Sequence, residues 1–216
     1  MNLGISWVTA WVEDTVEVVS KNRVRLIELD REIGDGDHGE NLDRGFTAVK
    51  AKFAALDPAS TPGAALKLVA TTLISTVGGA SGPLLGTAYL KGAQAVGDAT
   101  ELDSDAVVAL LTAARDGVVL RGKAAVGDKT MIDAWTPAVD AAASAAAGGA
   151  SPAAVLRAAA DAAAEGAVST EPLVAHKGRA SYLGDRAIGH RDPGAESSSL
   201  ILAAAADAAE ATEGQS

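Results

Sequence analysis

The segment LGISWVTAWVEDTVEVVSKNRVRLIE, residues 3–28, decides the reading of the fold. It sets Trp7, Val8, Trp11, Val12, Thr15 and Val19 at steps of three and four, the spacing that lines one face of an α-helix. The same periodicity returns, in weaker or stronger form, over residues 40–55, 62–76, 83–96, 104–120, 130–147, 152–168 and 193–211, which predicts eight helices. Three of them carry start signals: Asp103 or Ser104 before the fifth, Ser151-Pro152 before the seventh and Asp192-Pro193 before the eighth. Each joins a side chain able to cap free N–H groups to a proline or an apolar run. No stretch of alternating β-branched or aromatic residues competes as a strand. Composition agrees, because aromatic residues make up only 3% of a chain that is 48% apolar and dominated by alanine, the best helix former. The expected architecture is all-α, an antiparallel up-and-down barrel or bundle of about eight helices. It forms one domain over residues 1–211 with a frayed tail at 212–216.

The charge balance narrows the function. Lys plus Arg number 18 and Asp plus Glu 28, a formal net charge of −10. A nucleic-acid binder or a protein held on anionic lipid needs a basic face, so both partners are disfavoured. Phosphorylated ligands remain compatible if carboxylate-held metal ions bridge the two anions. With 0 Cys, disulfides, thiol catalysis and Cys-ligated metals are excluded. The N-terminus does not read as a signal peptide, since the first basic residue is Lys21 and Glu13 and Asp14 interrupt the apolar positions. The apolar runs at 141–150 and 200–206 are too short to span a bilayer, so no membrane insertion and a cytoplasmic location are expected.

If sequential helices run up and down, every second connection lies at the same end. Loop one (residues 29–39, LDREIGDGDHG), loop three (77–82, VGGASG), loop five (121–129, RGKAAVGDK) and loop seven (171–192) would then share one rim. These four hold the unusual residues, whereas loops two, four and six are plain. In loop one, Asp30, Asp35 and Asp37 are interleaved with Gly34, Gly36 and Gly39. Crowded carboxylates repel one another unless a hard divalent cation such as Mg²⁺ or Ca²⁺ joins them; the alternative is a solvated acidic turn. An EF-hand is excluded, because counting from Asp35 puts Gly39 and Phe46 where ligands are required.

His38 and Asn41 follow at a helix start, either as cap and surface residues or as donors to a phosphate. Loop three, with Ala80 and Ser81, opens a helix behind two glycines; it suits an anion or a tight helix connection, and it lacks the lysine of a P-loop. Loop seven gathers His176, Lys177, Arg179, Arg186, His190 and Arg191, either a solvated basic face or a clamp for a phosphate in transfer. Asp192-Pro193-Gly194-Ala195 reads as a helix cap that could also line a purine. Gly122 and Met131 read as loop and core filler. No nucleophile–base pair is evident, so covalent catalysis is unsupported.

Four motifs in order, Asp30-x4-Asp35-x-Asp37-His38-Gly39, GGASGPL at 78–84, GDKTMIDAW at 127–135 and KGRASYLGDRAIGHRDPGA at 177–195, together resemble the nucleotide-binding L subunit of dihydroxyacetone kinase over nearly the whole chain. The resemblance implies an all-helical barrel with the nucleotide site at one end. It implies that Asp30, Asp35 and Asp37 hold two Mg²⁺ ions bridging the phosphates of ADP or ATP, and that His38, Gly39, Glu40 and Asn41, with Ala80 and Ser81, contact those phosphates. Gly122, Met131 and the turn Asp192, Pro193, Gly194 and Ala195 would border adenine and ribose, and Arg179 would be the catalytic residue, pointing at the phosphoryl group.

It further implies a separate K subunit that holds dihydroxyacetone. In one variant ATP exchanges with ADP; in the other ADP stays bound and is rephosphorylated by a phosphohistidine protein M of the phosphotransferase system. A free-standing L chain favours the second. The alternatives are an ATP-exchanging kinase subunit for this or another small hydroxylated substrate, and a non-catalytic, ADP-loaded partner of a transcription regulator. The chain's own oligomeric state, monomer or dimer, stays open, as does a lipid-filled cavity within the Ala-lined barrel.

Overall fold

In the computed structural model, which describes residues 1–214, the chain runs as α1 (Ile5–Ile33), α2 (His38–Phe53), α3 (Pro62–Thr76), α4 (Ser81–Val96), α5 (Ser104–Gly122), α6 (Ile132–Ala147), α7 (Pro152–Ser169) and α8 (Pro193–Glu213). A 3₁₀ segment, Arg179–Ala187, lies in the last connection, and one isolated bridge joins Leu3 to Leu102. Each helix packs on its neighbours in sequence, and α8 returns to pack on α1, so the ring closes into the expected all-α barrel. The expected caps form: Asp103 accepts from Ala106 N–H, Ser151 from Ala154 N–H and Asp192 from Ala195 N–H. Thr61 caps α3 in the same way.

The stripe of residues 3–28 faces the core. Trp7 and Trp11 stack with ring centroids 5.2 Å apart, and their indole N–H groups donate to the Ala205 and Ile201 carbonyls of α8, both at 2.9 Å. Trp135 of α6 donates to Ser198 Oγ, also on α8. These three bonds pin the last helix by rings that also fill the interior. Between Trp11, Tyr89 and Trp135 the free space is about 10 Å³, about one water, so this part of the barrel is filled by aromatic rings.

Three boundaries differ from expectation. First, α1 continues to Ile33 because Leu26, Ile27, Asp30 and Ile33 extend the buried stripe by further steps of three and four; Asp30 therefore stands on a helix and not in a loop. Second, the 3₁₀ segment occupies part of loop seven, where no element was expected. Third, α8 runs on through Thr212 and Glu213, where a frayed tail was expected, and residues 215–216 of that tail lie outside the described residues. Among the described residues no helix is long and apolar enough to cross a membrane.

Candidate functional site

The four odd loops do meet at one end. A cavity of about 170 Å³ is lined by Asp30 at the end of α1, Asp35, Asp37 and His38 at the start of α2, Gly79, Ala80 and Ser81 at the start of α4, Lys129 to Met131 before α6, Lys177, Gly178 and Arg179 from loop seven, and Asp192, Pro193 and Gly194 at the start of α8. A second space of about 440 Å³ adjoins it, sharing Ala80, Leu84, Thr130 and Met131, and extends to Gly122 and Ile132. The first compartment carries the carboxylates, and the second is lined by apolar residues together with Arg121 and Lys177.

Asp30 organises the acidic part. From the last turn of α1 its Oδ2 accepts the N–H groups of Asp37 (2.9 Å) and His38 (3.1 Å), which folds loop one back over the helix end. A side chain at Gly34 would place its Cβ 2.0 Å from Asp30 Oδ1, so only glycine leaves that oxygen room. Gly36 turns the chain with φ of +76°, a conformation that favours glycine. One carboxylate oxygen each from Asp30, Asp35 and Asp37 then lies within 4.8 Å of the others. Arg179, the first residue of the 3₁₀ segment, reaches across to Asp35 Oδ2 at 2.8 Å.

Around this cluster stand helix starts that carry no side-chain cap. The side chains of Asp37 and Ala80, the cap residues of α2 and α4, accept no hydrogen bond from their helices; Asp30 takes the first N–H of α2, and the start of α4 at Ser81 opens on the cavity. At the opposite end α3, α5 and α7 are each capped by their own side chains. Asn41 adds a buried donor: its Oδ1 accepts from Arg44, while its Nδ2 has no partner and lies beside the Gly78–Gly79 turn. An unpaired buried amide is costly, and an anion against loop three would pair it.

His38 is buried, with Nε2 2.9 Å from Ser197 Oγ; that hydroxyl donates to the Gly194 carbonyl, so it accepts from the imidazole. Burial lowers the His38 pKa, against the opposing charges of Asp30 and Asp37, which favours the neutral ring.

The other expected residues sort by position. Met131, Pro193 and Gly194 line the first compartment, with Gly194 packed on the Met131 methyl, and Gly122 lines the second. Gly39 is instead a packing glycine, where a Cβ would fall 2.2 Å from the Arg23 carbonyl of α1. Glu40 points outward and pairs with Arg23, and Ala195 is fully buried with its N–H on Asp192. None of these three borders either cavity.

Two residues that sequence reasoning passed over shape loop five. Asp133 accepts from Gly127 N–H (2.5 Å) and Thr130 N–H (2.7 Å), and Lys129 is buried on the cavity wall. Their signal was present in GDKTMID, as a lysine fixed between a glycine and an aspartate that can fold the turn onto itself.

Burial pushes the Asp192 carboxyl up to about 7, and the charges of Asp133 and Asp30 push the same way while the Ala195 N–H and Lys129 oppose. Folded Asp192 therefore holds its proton to higher pH than the unfolded chain does, and the native state loses stability as pH rises from about 4 to about 7. Asparagine caps a helix equally well and cannot ionise. Asp192→Asn, without added metal, is expected to gain stability over the parent across that window by on the order of 4 kcal/mol, then to hold a constant margin above it. Urea melts at several pH values check this; a margin that does not change with pH would refute it.

An all-α barrel with a carboxylate cluster and the uncapped start of α4 at one mouth defines a class of protein suited to bind a metal-bound polyphosphate. Residues 32–207 match the DAK2 domain family, and the chain belongs to that family. It is 42% identical over 197 residues to the ADP-binding subunit DhaL of PEP-dependent dihydroxyacetone kinase 1 from Listeria innocua, covering 91% of this chain and 92% of the relative. The corresponding Escherichia coli K12 subunit is 41% identical over 202 residues, with 94% and 96% covered. Among solved structures, the dihydroxyacetone kinase of C. freundii in complex with AMP-PNP and Mg²⁺ superposes with a TM-score of 0.72 at 26% identity, covering 96% of this chain and 34% of that one. The family is one of phosphotransferases, and the expected all-helical fold and family are borne out.

Proposed function

We propose that the chain is the nucleotide-bearing subunit of a cytoplasmic dihydroxyacetone kinase. It carries ADP as a retained coenzyme, receives a phosphoryl group from a phosphohistidine protein of the phosphotransferase system, and passes it to dihydroxyacetone held by a separate K subunit. The observation that carries this reading is the joining of Asp30, Asp35 and Asp37, the uncapped start of α4, and the adjoining space at Gly122 and Met131 in one continuous mouth. The near-complete coverage of the L-type relatives supports it.

The donor set fits Mg²⁺, since all three ligands are carboxylate oxygens and Asp30 keeps Oδ1 clear of the loop-closing bonds. When bound, two such ions would supply charge neutralisation and alignment for the transferring phosphoryl group. The chain's own residues do the rest. Asp30 holds loop one shut, Asn41 Nδ2 and the first N–H groups of α4 donate to phosphate oxygens, and Met131, Pro193 and Gly194 border the nucleoside. Arg179 stands on the acidic cluster's open side, where it stabilises charge on the group in transfer. The proton of the triose hydroxyl is taken up in the K subunit.

Native mass spectrometry of the freshly purified protein with Mg²⁺, followed by acid release of any nucleotide, tests the proposal. ADP that survives desalting is the expected result. Empty protein that readily exchanges ATP would move the reading to an ATP-dependent kinase subunit, and no nucleotide binding at any Mg²⁺ concentration would overturn it.

A further inference from the structure

Lys129 lies on the cavity wall of this anion-binding mouth, where a lysine would ordinarily be read as a phosphate ligand. Its geometry argues otherwise. The residue is 1% exposed and adopts a left-handed backbone with φ of +62°, which turns its side chain into the protein. Its ammonium donates to the carbonyls of Thr170 (2.7 Å), Leu173 (3.1 Å) and Glu171 (3.3 Å). An ammonium has three protons and no further donor, so none is left for a phosphate.

Those three carbonyls form the outgoing foot of loop seven. The returning foot hangs on the same residues: Gly189 N–H donates to the Glu171 carbonyl at 2.8 Å, Asp192 N–H donates to Thr170 Oγ1 at 3.0 Å, and Arg191 pairs with the Glu171 carboxylate. His176 N–H also donates to the Asp128 carbonyl, beside Lys129 itself. The span between the feet carries Lys177 and Arg179.

We propose that Lys129 is a positioning residue for phosphoryl transfer, clamping the base of loop seven so that Arg179 stands over the acidic cluster, and that it does not touch the nucleotide. The inference rests on the functional reading above. A small displacement of an arginine aimed at a transferring group costs rate more than it costs ground-state affinity.

The test uses the full chain with Lys129→Gln. Three quantities are measured: single-turnover transfer to dihydroxyacetone with the K subunit present, Mg²⁺–ADP affinity by calorimetry, and hydrogen exchange at the Gly189 and Asp192 amides. The expected result is transfer slowed by about tenfold or more, ADP affinity within about threefold of the parent, and lost protection at both amides. In an Arg179→Ala background the same change should slow transfer by less than about twofold further, because both act through one group. ADP affinity falling in step with transfer, additively with Arg179→Ala, would make Lys129 a nucleotide ligand and overturn the inference; so would parental transfer.

If Lys129→Gln does not fold, Thr170→Val decides. It leaves Lys129 in place and removes the hydroxyl that ties the returning foot, and the same split is expected; unchanged transfer would count against the clamp. Absence of transfer in the parent itself would fault the functional reading, whereas the exchange measurement would still judge the clamp.

Discussion

Asp30→Asn is expected to lower Mg²⁺-dependent ADP affinity by at least about 100-fold, close to 2.7 kcal/mol, while the protein stays folded. The two halves of that expectation come from the two oxygens. Oδ2 closes loop one by accepting from Asp37 and His38, and the asparagine carbonyl can still accept there. Oδ1 is free of those bonds and is the oxygen left for a metal, and its replacement by an NH₂ group removes a charge and turns an acceptor into a donor. Asp30 is also the buried member of the three, 7% exposed, so its charge is the least screened by water. Calorimetric titration with ADP in Mg²⁺ and in EDTA measures the effect. Affinity within about threefold of the parent, with the same Mg²⁺ dependence, would return the cluster to a structural role.

What the chain reveals of itself before folding is uneven for physical reasons. Helices were legible because burial repeats every three or four residues, and caps at Asp103, Ser151 and Asp192 were legible because each acts within three residues of itself. The shared rim followed from alternation of helix direction alone, and the four odd loops do line one cavity. Lys129 was not legible. A lysine in a polar, glycine-rich loop reads as solvated, and its burial depends on three carbonyls more than 40 residues away, at Thr170 to Leu173. Long-range partners leave no local pattern. The 3₁₀ segment was missed likewise, since Gly184, with φ of +57°, breaks any helical period there. Loop one shows the opposite error. Its polar residues hid that the helical stripe continues to Ile33, and that Asp30 works from a rigid helix end.

Position on that helix matters for the last step, because Arg179 has no comparable support from its own element. It is the first residue of the 3₁₀ segment, largely exposed at 66%, and follows Gly178 at φ of +68°. Its fixed points are the Asp35 carboxylate at 2.8 Å and the clamped base of loop seven. Arg179→Ala is therefore expected to leave the fold intact and Mg²⁺–ADP affinity within a few fold of the parent, since the phosphates would keep the start of α4 and the acidic cluster. Transfer to dihydroxyacetone with the K subunit present is expected to slow by about 10³-fold, the scale on which a single guanidinium contributes to phosphoryl transfer. Arg179→Lys should recover only part of the loss, because an ammonium cannot offer two parallel N–H groups to phosphate oxygens. Single-turnover transfer from the phosphorylated subunit, measured beside ADP affinity, separates the two effects. Full-rate transfer by Arg179→Ala would show that the charge developing on the phosphoryl group is met elsewhere, and would reduce the contact with Asp35 to a surface ion pair worth little.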